Sequence, residues 1–507
     1  MKAHLMFPDA DFDPHRAEPA NAQILIDDLG LETVLTAMSD GDQFFYQVAR
    51  SALLAPPASP ERIVYRQQVL TDALAHEPVV RELYDLAVAA IEDRKKSFFG
   101  FWHGSPSSIL ASSVTILSLL RGRLRQLRAI ADQHATHFTS PGFTAFFQTI
   151  AAELDDAYLD EIDTHLEKLR FRRGVRFSAR LGKGNTSVDF VVRTPHERHG
   201  LRGLLGTEPG PAHSVTVPDR DDAGAQEVAD LEGRALNPVA EAVAQSADHI
   251  ASFFTQLRTE LAFHLGAVNL HRALSTRAAP VCLPEPAPPD DLAFTARDLY
   301  EMTLPLRGTE HVVGNDVHAD ATSLIVITGA NQGGKSTLAR AIALASLTAA
   351  AGLPAPATAL RISPARAVFT HYRRAEDATM NRGKFEEELA RMREIVEQAA
   401  PGVLVVMNES FAATNEREGA EVAVPVIHAM LDARLRVLIV THSYELADQL
   451  HREDAARALF LRAERLPDGR RTFRLAVAPP QTTSYGLDLY QEVFADELQP
   501  SRSAPES

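Results

Sequence analysis

Hydrophobic positions change period twice along the chain. From about residue 22 to 169, apolar residues recur at three- and four-residue spacing, as in Val79, Leu83, Leu86 and Ala90, with prolines mostly between the runs. This predicts a succession of helices. The most apolar early stretch, residues 109–120, ends at Arg121 and is too short to cross a bilayer, so it reads as a buried helix. Between Arg172 and Arg193 the period drops to two. Val175, Phe177, Ala179 and Leu181 alternate with Arg176, Ser178 and Arg180, and Gly182-Lys183-Gly184-Asn185 then turns the chain into Val188, Phe190 and Val192. A β-hairpin is expected, with one apolar face half-buried and Arg176 and Arg180 on the other.

Residues 203–224 combine Gly-Thr-Glu-Pro-Gly-Pro with an acidic run and read as a loop. Asn237 and Pro238 then make a helix start, a capping side chain followed by proline at the first helical position. Helical spacing persists from Val239 to about Arg272, a rod of roughly 50 Å at about 1.5 Å per residue. The proline-rich residues 280–289 read as a stiff linker and the main domain boundary. Beyond Leu292 the pattern becomes α/β, with short apolar runs at 323–328, 403–407 and 437–440 separated by helical stretches. Asp468-Gly469 suggests a late hairpin. No internal repeat is present. The predicted division is an N-terminal extension (1–20), a helical region with the hairpin (21–279), a linker (280–291), an α/β domain (292–495) and a flexible tail (496–507).

With 507 residues and 45% hydrophobic content the chain can bury a large core, which excludes a disordered protein. The acids and proline near the amino terminus do not fit a signal peptide, and a single cysteine, Cys282, excludes an internal disulfide, so a cytoplasmic protein with no membrane role is expected. Cys282 itself reads as a small buried apolar residue. The net charge of −16 argues against a chain coated in nucleic acid. Against it stands the basic segment 170–202, where Arg172, Arg173, Arg176, Arg180 and Lys183 are candidate nucleic-acid contacts; the plainer alternative is a solvated hairpin face.

Candidate chemistry concentrates after three of the apolar runs. Gly329-Ala330-Asn331-Gln332-Gly333-Gly334-Lys335-Ser336 matches G-x-x-x-x-G-K-[ST] in full, behind a strand-like run and ahead of a helix-forming one, with Thr337 continuing the loop's end. Such a loop folds backbone N–H groups around phosphates, its lysine pairs with the β and γ oxygens and its serine can ligate Mg²⁺. ATP and Mg²⁺ are therefore the expected ligands. The second apolar run ends in Asn408-Glu409, and a carboxylate there can activate the water that attacks the γ-phosphate. The third ends in Thr441-His442, a histidine placed to sense that phosphate or bond the attacking water. His371 and Tyr372, closing a further predicted strand, could approach a base but read more simply as packing. Trp102, in an aromatic run, reads as core.

The segments ITGANQGGKSTLAR, VMNESFAATNEREGAE and VTHSYEL resemble, in order and spacing, the three ATPase motifs of the MutS family of mismatch-repair proteins. Gly314-Asn315-Asp316-Val317 resembles the segment preceding that family's P-loop strand, and Arg62-Ile-Val-Tyr-Arg-Gln-Gln its arginine-and-glutamine helix. The resemblance implies a P-loop ATPase of ABC/MutS type, a mixed sheet with flanking helices, preceded by an all-α core and lever carrying the hairpin. It also implies a homodimer clamped on DNA, with Glu409 and His442 catalytic and Mg²⁺ held by Ser336 and, through water, by Asn408.

Three departures qualify this. No counterpart of the family's mismatch-reading and connector domains is found, which leaves mismatch recognition an open question for the resemblance. Asn408 replaces the usual aspartate, which predicts slower hydrolysis or weaker Mg²⁺ binding. In the segment that reaches the partner's nucleotide, Arg382-Gly383-Lys384 stands where the family has Arg-Ser-Thr, leaving Lys384 to substitute for the missing hydroxyl. The alternative is an ATP-dependent switch binding a protein or RNA. A recombination-type ATPase is disfavoured because no heptad coiled coil or CxxC hook is present.

Overall fold

The computed structural model describes residues 1–57, 59–98, 105–171, 174–193, 216–218, 220–374 and 383–481. Trp102, Arg172, Arg173, Arg382, most of the 203–224 segment and the tail lie outside them. The helices preceding the α/β region are α1 (Ala22–Leu29), α2 (Leu31–Ser39), α3 (Gln43–Leu54), α4 (Pro60–Ala75), α5 (Glu77–Phe98), α6 (Pro106–His134), α7 (Pro141–Glu153), α8 (Asp156–Leu169) and α9 (Asp222–Ser275), with the hairpin β1 (Phe177–Leu181) and β2 (Ser187–Val192) between α8 and α9. After them come β3 (Glu285–Pro286), β4 (Phe294–Leu299), α10 (Thr303–Leu306), β5 (Asn315–His318), β6 (Leu324–Gly329), α11 (Lys335–Ala351), β7 (Ala359–Ile362), β8 (Val368–Tyr372), α12 (Lys384–Gln398), β9 (Leu404–Asn408), α13 (Glu416–Asp432), β10 (Arg436–Val440), α14 (Tyr444–Asp454), β11 (Ala458–Arg465) and β12 (Arg471–Val477).

The chain divides into two compact units, one of residues 1–4, 78–139 and 143–261, the other of residues 5–77, 140–142 and 262 onward. The described residues of the first unit are helical apart from the hairpin and short connections. Its core includes Phe138, Phe143, Phe146 and Phe147, all buried, with ring centroids 4.5 Å apart for Phe138 and Phe143 and 5.1 Å for Phe138 and Phe147. The run at 109–120 lies in α6 and buries Leu110, Val114, Ile116, Leu117 and Leu120. Among the described residues no helix is long and apolar enough to cross a membrane.

The hairpin forms with the expected turn, and the expected apolar face is half-buried at Val175, Phe177, Val188, Phe190 and Val192 but open towards the turn, where Ala179 and Leu181 are exposed, Leu181 at 73%; the register shifts between Ser178 and Arg180. That irregularity breaks the strict alternation on which the expected face rested. The long helix also starts earlier than expected. Asp221 caps it, its carboxylate accepting from the Gly224 amide at 2.9 Å, and Pro238 lies inside. Alanine, glutamate and leucine dominate residues 222–236 and favour helix, while buried Ala235, Leu236 and Ala240 pack on both sides of the proline. This offsets the one backbone bond that proline removes. At 54 residues the helix is about 80 Å long.

In the second unit a six-stranded sheet runs β12-β11-β6-β10-β9-β8, parallel except for the antiparallel edge strand β12. The three strand-like runs at 323–328, 403–407 and 437–440 become β6, β9 and β10, and Asp468-Gly469 turns β11 into β12. α11, buried along nearly its whole length, packs on β6, β8, β9 and β10 and also touches α1, α3 and α4. Met392 and Ile395 of α12, Ala423 and Ile427 of α13 and Leu446 and Leu450 of α14 join strand residues such as Val326, Val405 and Val437 in one apolar cluster. A second sheet, β3-β7-β4-β5, has strands too short or bulged to show as a period in the sequence. The proline-rich stretch read as a linker takes part in this layer. Cys282 exchanges backbone bonds with Ala355, β3 pairs with β7, and Gln67 donates to the Pro284 carbonyl at 2.7 Å. Cys282 is only half-buried, its thiol pushed up to about 11 chiefly by burial.

Candidate active site

Parallel strands end together, and their carboxyl ends form a rim on which following residues converge. In this sheet Ile327, Val440, Asn408 and Tyr372 share one register row across β6, β10, β9 and β8. The residues just beyond that row, Thr441, Glu409 and Arg373, therefore emerge side by side with the loop that follows β6.

The loop is shaped by what surrounds it. Gly329 has a φ of +110°, and a Cβ there would lie 2.8 Å from the Ala463 nitrogen of the neighbouring strand, so only glycine fits. Gly334, also left-handed at φ +89°, caps α11 with no side chain, leaving that helix's first amides open. Between them Ala330 and Gly333 are buried, Asn331 half-buried and Gln332 exposed with a φ of +58°. Lys335 is only 5% exposed; its Nζ donates to the Gly329 and Ala330 carbonyls, each at 2.9 Å. Burial pulls its pKa down to about 8, with Arg471 acting in the same direction and Glu409 against it. Ser336 Oγ donates to Asn408 Oδ1 at 3.0 Å. Thr337 lines an adjoining cleft with Leu299, Tyr300, Val313, Gly334 and Phe473.

Glu409 sits at φ +55°, its amide donating to the Val440 carbonyl at 2.9 Å. Its Oε1 is 2.8 Å from His442 Nε2 and its Oε2 3.7 Å from Arg373 Nη1. The hydrogen bond from His442 holds the carboxyl below its ordinary range, outweighing the opposite effect of burial. An ionised Glu409 can only accept, so His442 carries a proton on Nε2. One edge thus presents an ammonium, a hydroxyl–amide pair and an oriented carboxylate.

Several contributors were not read from the sequence. Arg373 follows β8 in the same row as Glu409, a position visible only once the strands are in register. Arg471, on β12, donates to the Asn331 carbonyl at 3.1 Å and braces the loop. Asn315, from the segment singled out upstream, donates to the Phe473 carbonyl at 3.2 Å and accepts from the Leu475 amide at 2.8 Å, fixing β12 beside the cleft. His371 and Tyr372 are buried, as packing residues are, but His371 is also hydrogen-bonded to Ser410.

The remaining sequence candidates lie at the start of α12 and on the hairpin. Gly383 and Lys384 open α12, with Arg382 outside the described residues. Glu386 and Glu387 occupy the first turn of that helix, as carboxylates should, whereas Glu388 is buried. Of the basic hairpin residues, Arg176 and Lys183 are exposed and Arg180 is ion-paired with Asp189.

The family model "MutS2 N-terminal domain" matches residues 58–277 and "MutS domain V" matches residues 325–496. Two proteins called DNA mismatch repair protein MutS, from Streptococcus pneumoniae strains Hungary19A-6 and ATCC 700669 / Spain 23F-1, are each 24% identical over 485 residues, covering 87% of this chain and 56% of theirs. The chain is a homologue of the MutS proteins. It spans about half the length of these curated relatives. In this MutS homologue the domain V match runs from β6 through β12 and takes in the 329–337 loop, Asn408, Glu409 and His442.

Proposed function

We propose that the chain is a MutS-like ATPase that binds ATP with Mg²⁺ at the loop after β6, works as a homodimer and clamps DNA in mismatch repair or recombination control. The observation that carries this reading is the Glu409–His442 pair on the strand-end rim shared with Lys335 and Ser336. A carboxylate held ionised is a base for water, and the histidine fixes its direction. Lys335, now folded back on two carbonyls, is the group that phosphate oxygens would draw away. Ser336 and Asn408 offer hard oxygen donors within 3.0 Å of each other, a set that suits Mg²⁺, which takes few protein ligands and keeps water and phosphate as the rest. When bound, that ion would neutralise charge on the β- and γ-phosphates. The cleft lined by Thr337, Tyr300 and Phe473 has the apolar walls that a nucleotide base prefers.

The domain reading follows: residues 292–495 as the ATPase domain, 21–279 as the core and lever, and the hairpin as the DNA-facing element, in a cytoplasmic protein. Gly383 and Lys384, at the start of α12, would reach the nucleotide of the partner in the dimer.

Steady-state ATP turnover with Mg²⁺, without DNA and with perfect, mismatched and branched duplexes, tests this, with Lys335→Ala as the blank. Stimulation by one DNA class names the substrate. A second reading, an ATP-dependent switch for a protein or RNA partner, is favoured by the net charge of −16 and by the commitment of Arg180 to Asp189. Turnover indifferent to every DNA would transfer the case to it.

A further inference from the structure

The turn that carries Glu409 is backbone-strained: Glu409 and Phe411 are both left-handed, at φ +55° and +62°. Non-glycine residues hold such conformations only when their surroundings impose them. Here the surroundings are specific. Ser410 Oγ lies 2.7 Å from His371 Nδ1 and 2.7 Å from the His371 carbonyl, so one hydroxyl is gripped by both ends of a single residue of β8. The other ring nitrogen, Nε2, lies 3.0 Å from the carbonyl of Glu388 on α12. The imidazole also stacks on Phe411, with centroids 5.6 Å apart and planes at 30°. His371 is fully buried, and α12 is tied to the same strand a second time by Arg391, which donates to the Tyr372 carbonyl at 3.1 Å. The Glu388 carboxyl is buried beside the Ala413 amide without forming a hydrogen bond to it; that amide works to lower its pKa while burial, the larger effect, raises it.

Burial keeps the imidazole neutral, with a pKa near 4, so it carries one N–H. With the proton on Nε2 it donates to Glu388 on α12, and Ser410 O–H turns to Nδ1. With the proton on Nδ1 it donates to Ser410, whose hydroxyl then serves the His371 carbonyl, and the link to α12 is broken. Holding α12 and holding the turn through the His371 carbonyl are thus alternatives of one tautomeric choice.

We propose that His371 and Ser410 are positioning residues for ATP turnover, linking the Glu409 turn to α12 so that the placement of α12, whose first residue is Lys384, sets the aim of the carboxylate. The inference rests on the reading of Glu409 as the base. Misplacing a reacting group by about 1 Å costs on the order of a hundredfold in rate, so Ser410→Ala is expected to lower kcat by about tenfold to a hundredfold while the KM for ATP stays unchanged. His371→Gln, which keeps an amide at the Nε2 position, and His371→Asn, which keeps one at Nδ1, separate the two links. Asn is expected to retain more activity than the Ser410→Ala/His371→Gln double variant, and that double variant is expected to lose no more than the worse single change. Hydrogen exchange supplies a second readout: a non-hydrolysable ATP analogue should alter protection of α12 amides in the wild type and not in Ser410→Ala.

A folded Ser410→Ala protein with unchanged kcat, or with KM raised in step, overturns the proposal. So does an identical exchange response of α12 in variant and wild type. Failure of the underlying reading looks different: wild-type turnover would be absent or insensitive to Lys335→Ala, and both ideas would fall together.

Discussion

The loop after β6 and the hairpin β1–β2 were equally conspicuous in the sequence, yet they are built on opposite principles. The loop is braced from several sides: Gly329 against the Ala463 backbone, Arg471 on the Asn331 carbonyl, Ser336 on Asn408, and a lysine only 5% exposed. The hairpin has little to brace it beyond its ladder, a Phe177–Phe190 contact at 5.8 Å, and side-chain pairs such as Arg180–Asp189. Catalysis needs dipoles fixed before the reaction, because reorganising them during it raises the barrier. Contact with a phosphate backbone needs only accessible charge, and mobility costs it little. The contrast makes the loop region fragile to single substitutions and the hairpin tolerant of them.

The largest effect should come from Glu409→Gln, which keeps shape and removes the proposed base. Turnover is expected to fall by about 10²- to 10⁴-fold with ATP affinity retained, measured by single-turnover kinetics beside equilibrium nucleotide binding. Equal loss of binding would mean that Glu409 holds the site together instead of acting on water. Next, Lys384→Ala should reduce turnover by roughly tenfold or more, because a cation offered to the γ-phosphate stabilises transition-state charge. The loss should grow less severe when the variant is mixed with a Lys335→Ala partner that can still donate its own Lys384. Full activity in the unmixed variant removes Lys384 from the mechanism. Smaller again is Asn408→Asp. Restoring a carboxylate beside Ser336 should shift half-saturating Mg²⁺ downward by about tenfold, in line with outer-shell substitutions at metal sites. An unmoved Mg²⁺ titration would show that the amide already suffices.

What the sequence disclosed follows the same division. β6, β9 and β10 are continuous apolar runs because both faces of a parallel strand are buried, so they and the polar residues at their ends could be read directly. Arg373, Ser410 and Arg471 could not. Each acquires its place through strand register or a turn, Arg373 by lying one residue past the Tyr372–Asn408 row and Arg471 by β12 folding back on β11. The proline-rich stretch 280–289 misled because proline content marks a segment that cannot be helix, not one without partners. Likewise Pro238 signalled a helix start, but the packing of Leu236 and Ala240 carries the helix through it.

The smallest effect expected on the protein itself belongs to the hairpin. Replacing Arg176, Arg180 and Lys183 together with alanine removes side chains that are exposed and, for Arg180, engaged only in a surface ion pair. Surface pairs of this kind contribute about 0–1 kcal/mol, so the midpoint of urea unfolding should barely move and ATP turnover without DNA should be that of the wild type. DNA is where the change should register. Neutralising one phosphate-binding cation lowers the slope of log affinity against log salt by about 0.9 for duplex DNA, so a hairpin lying on DNA predicts a reduction approaching 2 to 3 across the three charges. A slope identical in variant and wild type would leave the hairpin a solvated ornament of its unit. DNA binding, if present at all, would then have to be sought on another surface, and the sharp contrast between a braced loop and a free basic arm would reduce to one site and one bystander.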